Sequence, residues 1–322
     1  MTKRTKIIIA CAALGLVLIC IIISCLSSVS GRAEKAVKKY NDMVPIYNIE
    51  AIAYNDAVEV VEQANAELDS VIDSAQILLD SNAIPYDNQC KIDLEQAIQT
   101  ALQAKVDAPA KFPVYEEMTI PQDATDEQLR EIAETASSLI KQMEAAVPGS
   151  LPQPDYAEHR SLVQDAMTAF ERSVLVQLQI TAPKDEFVLE RLKQIDTVLA
   201  VGAVTKSNDP NGLLGIQGGY IGCIYFSDSR VDKEKLNLKP SEYDVISMGA
   251  IGGGAIEIYG SIDDAQMRNT YLSSYDNTEL DPGSHVVVGT LVIRTSSMLS
   301  KEQQAELTDS IIAAIISLAK QD

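Results

Sequence analysis

The stretch AIEIYGSIDDAQMRNTYLSSY, residues 255–275, changes its period in the middle. Its first part, AIEIYGS, is a short β-branched run of strand character, while DDAQMRNTYLSSY (263–275) reads as a helix. Working outward, the upstream segments are a helix, DEFVLERLKQID (185–196), and two strands, TVLAVGAV (197–204) and YIGCIYF (220–226). Downstream lie HVVVGTLVIRTS (285–296), read as one strand, and a helix opened by Ser300 with Gln303 and striped by Leu307, Ile311, Ala314 and Leu318. Elements in the order α-β-β-β-α-β-α predict a small antiparallel sheet with helices over one face, placed at residues 183–322.

The loop before YIGCIYF is the distinctive candidate in this region. In NDPNGLLGIQGGY (208–220), Asn208, Asp209, Asn211 and Gly212 crowd turn formers around Pro210, and Gly218 and Gly219 admit a tight entry into the strand. These six residues, Asn208, Asp209, Asn211, Gly212, Gly218 and Gly219, form a candidate binding loop, or else an ordered hairpin connection. A cation held by Asn208, Asp209 and Asn211 would lack the spacing and terminal Glu of an EF-hand. The glycines 249 and 252–254 lead into a strand rather than a helix N-terminus, so they do not form a phosphate cradle. Ser284 and His285 are strand neighbours pointing to opposite faces, a poor nucleophile and base pair. The best candidates for a hydrolytic alternative are acids and polar residues around the NDPNG loop, Asp209 with Glu257, and that reading requires the loop to converge with Glu257 and His285.

Residues 32–182 read as an antiparallel helical bundle. Tyr54, Ala57, Val61, Ala64, Leu68, Val71, Ala75 and Leu78 step by three and four until Asn82 and Pro85 end the helix. Leu94, Ile98, Ala101 and Leu102 mark a second helix. The segment DAPAKFPVYEEMTIPQD (107–123) reads as irregular because its prolines forbid a continuous helix. Thr125 with Gln128 opens a third helix, and a fourth is expected to turn Leu162, Ala166, Phe170 and Val174 inward.

Residues 1–31 read as a membrane anchor. Lys3, Arg4 and Lys6 precede an apolar run from Ile7 to Leu26, long enough to cross a bilayer as a helix. Two versions stand: an uncleaved spanning signal anchor, or a lipoprotein signal in which Cys25, after Ile22-Ile23-Ser24, carries the lipid. Basic residues flank both sides of the run, so charge alone does not orient it. The short, signal-like N-terminus places the bulk of the chain outside the cytoplasm.

Composition narrows the function. Acids outnumber bases 46 to 26, a net charge of −20 that argues against nucleic acid as a partner. Two histidines leave little scope for multi-histidine metal chemistry. Cys11, Cys20 and Cys25 fall in the apolar run, so only Cys90 and Cys223 remain for the folded part, and they are expected as buried free thiols rather than a disulfide scaffold. No catalytic, metal or cofactor residues are assigned.

The run from ITAPKDEFVLERLKQIDTV (180–198) through NDPNG and GGYIGCIYF to GSHVVVGTLVIRTS (283–296) resembles a C-terminal module of uncharacterised membrane-anchored or lipoprotein-like surface proteins of Gram-positive bacteria. The resemblance implies an extracytoplasmic location and carries over no activity. The expectation is therefore an anchored envelope protein with a binding or structural role, whose partners are the membrane and a protein or cell-wall ligand. The alternative is an extracytoplasmic hydrolase or cell-wall-modifying enzyme.

Overall fold

The computed structural model describes residues 3–146, 149–236 and 238–318, with the backbone alone for residues 3–28 and 240. Among the described residues the chain is α+β, with eight α-helices and one five-stranded antiparallel sheet. By contacts it divides into two compact units, residues 1–71 with 101–160, and residues 72–100 with 161–322. The expected anchor, including Cys25, falls on residues whose side chains lie outside the described ones. Among the residues whose side chains are described, from 29 onward, no helix is long and apolar enough to cross a membrane.

In the first unit, α1 (Lys3–Asp80) supplies the seam. Its buried side chains are Ala33, Val37, Tyr40, Val44, Tyr47, Ala51, Val58, Val61 and Leu68, continued at half-buried Tyr54 and Asn65. Steps of four and three repeat without a break, so the seam begins 21 residues before Tyr54, at Ala33, and it passes through Val58 and Asn65 where Ala57 and Ala64 were expected. Ala136, Ile140 and Met143 of α3 (Asp126–Ala145) pack into the same core. The α3 capping box is formed: Gln128 N–H donates to Thr125 Oγ1 at 3.3 Å, and Thr125 N–H donates to Gln128 Oε1 at 2.8 Å.

The segment expected to be irregular is an ordered strap along α1. Pro109, Phe112, Tyr115 and Met118 are half-buried and the two residues between each pair are exposed, the three-residue period of a polyproline-II-like chain. Asn41, Asn48 and Asn55 face it at seven-residue intervals. Asn41 Nδ2 donates to Met118 O at 2.9 Å and Met118 N–H donates back to Asn41 Oδ1 at 2.9 Å; Asn55 does the same with Phe112 at 2.9 and 2.8 Å. The two repeats match because seven helical residues rise about 10.5 Å and three extended residues about 9–10 Å. Between the asparagine rungs, Tyr47 meets Tyr115 and Tyr54 meets Phe112, with ring centroids 5.4 and 4.9 Å apart.

The second unit contains the sheet, ordered β1-β2-β3-β5-β4. Its strands are β1 (Val198–Ala203), β2 (Gly222–Asp228), β3 (Gly253–Ile258), β4 (His285–Val288) and β5 (Leu291–Thr295). The run expected as a single strand, 285–296, is in fact a hairpin. It folds back at Gly289, whose φ is 60° and where a side chain would meet Ile180 O at 2.4 Å. The sheet is also covered on both faces, which explains why β2 and β3 are buried along their whole length. One face packs Ile224, Phe226, Ile256, Ile258 and Ile293 against α5 (Asp185–Leu192) and α8 (Lys301–Ile316). The other packs Cys223, Tyr225, Ala255, Tyr259 and Val292 with Ala265 and Leu272 of α7 (Ile262–Ser273), under Leu213, Leu214 and the short α6 (Val245–Met248).

The end of α4 (Ala157–Gln179) joins this unit. Gln179 Nε2 donates to the Ile315 carbonyl, and Thr290 N–H donates to Ile180 O at 3.1 Å. Phe170 is buried as expected, but Leu162 is 48 % exposed, and Val163 and Ser173 face inward instead. Leu102 of α2 (Gln89–Ala104) is likewise 44 % exposed, while Leu94, Ile98 and Ala101 are buried.

Candidate functional site

Glu257 stands at the centre of the sheet, opposite Cys223 on β2 and Val292 on β5. Strand alternation puts Ala255, Glu257 and Tyr259 on one face, and Arg294 reaches Glu257 from β5. On α7, the Ser261 side chain accepts from Asp264 N–H and fixes the helix start, so that Arg268 arrives over the same carboxylate two turns later. Glu257 Oε2 accepts from Tyr259 Oη at 2.9 Å and Arg268 Nε at 2.7 Å. Its Oε1 accepts from Arg268 Nη2 and Arg294 Nη1, both at 2.9 Å. A carboxylate offers about four acceptor positions, and here four donors fill them.

Glu257 has no exposed surface. Burial works to raise its pKa, but the Arg268 hydrogen bonds and the charges of Arg294 and Arg268 outweigh it and hold the group below the usual carboxylate range. Beside it, burial pushes the Cys223 thiol and the Tyr259 phenol up. An ionised carboxylate with no free lone pair is a poor general acid or base, and a protonated, buried thiol is a poor nucleophile. The arrangement serves to lock α7 onto β3 and β5.

The loop at 208–220 is tied together by its own polar side chains. Asn208 Oδ1 accepts from Thr205 N–H at 2.6 Å and Thr205 Oγ1 at 2.9 Å. Asp209 accepts from Asn211 N–H at 2.9 Å, Leu214 N–H at 2.8 Å and the Tyr220 hydroxyl. Burial opposes the charge on Asp209, and the Tyr220 and backbone donors overcome it and lower its pKa. Asn211 Nδ2 donates to Tyr225 Oη at 2.9 Å, fastening the loop to β2. Gly212 and Gly218 take φ of 64° and 74°. Gly219 is required for a different reason: a Cβ there would lie 2.1 Å from Leu213 O. Asp209 and Glu257 thus belong to separate hydrogen-bond sets. Among the described residues no group of three His, Cys, Asp or Glu side chains is arranged to hold a metal ion. Cys90 and Cys223 are both free, Cys223 buried and Cys90 half-buried.

His285 does converge with Glu257, through its neighbours. It pairs across the hairpin with Arg294, and its Nδ1 lies 2.7 Å from Asn269 Oδ1, the residue next to Arg268. Its Nε2 lies 3.1 Å from Asp276 Oδ1. Beyond it opens a cavity of about 330 Å³, lined by Asp276, Asp281, Ser284, His285, Lys301 and Gln304 among others. The Gly283 backbone N–H donates to Asp281 at 2.8 Å and holds its pKa low. Asp276, Asp281, Lys301 and Gln304 carry no sequence signal for this cavity. Turn formers at 276–277 and 281–283 mark its rim, but the contribution of α8 is a tertiary event. Compared with protein-family models, curated proteins and solved structures, the chain matches none.

Proposed function

We propose that this chain is a membrane-anchored extracytoplasmic envelope protein with a binding or structural role rather than a catalytic one. The observation that carries the reading is that the apolar run from Ile7 to Leu26 lies in the same uninterrupted helix, α1, whose later turns form the core seam of the first unit. A folded unit built directly on the continuation of a signal-like segment is what an anchored protein requires, whether the anchor is the spanning helix or a lipid on Cys25. The resemblance of residues 180–296 to surface modules of Gram-positive bacteria supports the same location. The net charge of −20 suits a domain region repelled by anionic headgroups.

The non-catalytic part of the reading is supported by how the reactive candidates are used. The Glu257 lone pairs are filled, and Asp209 is occupied in holding its own loop. The test is fractionation of cells expressing the full chain. Expected are retention in the membrane after an alkaline carbonate wash, and labelling of Asp232→Cys by an impermeant thiol reagent in intact cells, in a background with Cys90 replaced by Ser. Release by carbonate, or labelling only after lysis, overturns the proposal. A mobility shift lost in Cys25→Ala assigns the lipid; its absence assigns the spanning helix.

A further inference from the structure

We propose that the outer edge of β1 pairs with the same edge of a second copy of this chain, antiparallel and two-fold symmetric about Gly202. β1 is an end strand of the sheet and is bonded only to β2. Val204 N–H, one residue past the strand, donates to Cys223 O at 2.8 Å, in the register that sets Gly202 opposite Tyr225. Bonded pairs alternate along an antiparallel ladder, so Gly202 turns its backbone groups toward β2, and Val201 and Ala203 turn theirs away. Among the described residues those outward groups meet no partner. The side chains of Val201 and Ala203 pack on the core beneath, and Val245 fills the space over Gly202. All three residues are nevertheless only half-buried, where β2 and β3 are buried throughout, so their exposure lies along the edge.

Beyond a bulge between Val198 and Ala200, the edge carries none of the usual obstacles to pairing. VLAVGA (198–203) has no charge and no proline, and Leu199 is 61 % exposed. The opposite edge, β4, is only four residues long, and its first, His285, is tied to Asn269 and Asp276. What selects a second copy is charge. From 194 to 208 the charged residues are Asp196 and Lys206, one beyond each end of β1, and both are exposed. Antiparallel self-pairing brings Lys206 of each copy to the end of the ladder where Asp196 of the other stands, whereas parallel pairing sets like against like. Pairing Val201 with Ala203 of the second copy, and the reverse, satisfies every outward N–H and C=O of these residues, as bonded antiparallel pairs do. Gly202 then lies on the two-fold axis, where non-bonded pairs come closest, about 4.5 Å between α-carbons, and no side chain stands there.

The experiment follows amide hydrogen exchange and sedimentation of the full chain in detergent micelles as its concentration is raised. Expected are a protein mass that doubles and, in step with it, about tenfold slower exchange at Val201 and Ala203, with Gly202 protected throughout by β2. Asp196→Lys or Lys206→Asp alone sets like charges together and should weaken pairing about tenfold, as two exposed ion pairs turned repulsive imply. The two reversals combined should restore it. Ala203→Pro removes an outward N–H without touching the β2 ladder and should abolish pairing. Its melting temperature is measured alongside, and if it does not fold, the charge reversals carry the test. A chain that stays monomeric at every concentration overturns the proposal, as does a double reversal that fails to restore pairing. Association that leaves Val201 and Ala203 exchanging freely, or that persists in a folded Ala203→Pro, places the contact elsewhere and overturns it too. Protection that appears only when another envelope protein is added assigns the edge to that protein and excludes self-pairing. None of these outcomes bears on the anchor, which the fractionation tests separately.

Discussion

Asn48 and Tyr115 exchange two hydrogen bonds: Asn48 Nδ2 donates to Tyr115 O at 2.7 Å, and Tyr115 N–H donates to Asn48 Oδ1 at 3.0 Å. The side-chain amide does for the strap what an adjacent strand would do in a sheet, satisfying both backbone groups of one residue. Asn48→Leu should therefore destabilise the first unit by about 1–3 kcal/mol, the cost of stranding a partly buried donor and acceptor. Asn48→Asp keeps the acceptor, loses the donor and sets a negative charge against the Tyr115 carbonyl. Hydrogen exchange checks both: the Tyr115 amide should exchange faster in Asn48→Leu than in Asn48→Asp, and unchanged protection in both would show that the ladder does not hold the strap.

Glu257 gives a prediction in pH. Its pKa is lowered in the folded state relative to the ordinary value of 4.5. Its contribution is therefore complete above that unfolded value and is lost as pH falls through the lower folded value. Glu257→Gln leaves Arg268 and Arg294 without a counter-charge and should cost about 3–5 kcal/mol at neutral pH. Denaturant titrations of both proteins across the acid range should converge as the wild-type carboxylate protonates. Parallel curves down to the lowest pH would disprove the charge-based account.

Two glycines of the 208–220 loop should respond differently to alanine. Gly212 has a φ of 64° with open space around it, so Gly212→Ala meets only the left-handed backbone penalty of about 1–2 kcal/mol. Gly219→Ala would drive a Cβ to 2.1 Å from the Leu213 backbone oxygen, and the loop must move to admit it. Thermal unfolding should rank Gly219→Ala well below Gly212→Ala, and a nuclear Overhauser contact between Tyr220 and Leu214 should weaken only in the former. Equal melting temperatures would remove the close-approach argument.

Periodic elements were legible in the sequence because one helix or strand carries its own pattern. Thr125 with Gln128 and Ser300 with Gln303 form the boxes their spacing announces. Phe170 is buried on α4, and the segment 263–275 forms the helix expected of it. What escaped was set by partners distant in the chain. Leu102 and Leu162 are apolar at helical spacing yet exposed, because the inward direction of a helix depends on what it packs against. The hairpin at Gly289 was hidden in a continuous β-branched run, since Gly289-Thr290 lacks the Asn or Asp that usually flags a tight turn. The strap was hidden twice over: prolines suggested irregularity, and the asparagines facing it lie some sixty to eighty residues upstream. Asn41, Asn48 and Asn55, spaced by seven, were nevertheless present as a signal. The cavity beside His285 had none, because Gln304 reaches it from α8, across the β5–α8 connection.

The ladder also accounts for where it stops. Extending the pairs Asn41–Met118, Asn48–Tyr115 and Asn55–Phe112 by one repeat brings residue 62 to residue 109, and these are Glu62 and Pro109. Proline has no backbone N–H, so an asparagine at 62 could make only half of the two-bond exchange. Glu62 instead pairs with Lys111 at 3.1 Å, and the next rung is displaced to Asn65, whose Nδ2 donates to Val106 O at 2.9 Å while Val106 N–H donates to Tyr156 Oη at 2.9 Å. A double-mutant cycle tests this register. Glu62→Asn alone, and Pro109→Ala alone, should each leave stability unchanged or lowered. Together they should couple favourably by about 1 kcal/mol, the worth of a restored hydrogen bond, with exchange protection at the backbone amide that Pro109→Ala introduces. Additive effects in the pair would place residue 62 out of register with 109 and confine the repeat to the three asparagines that form it.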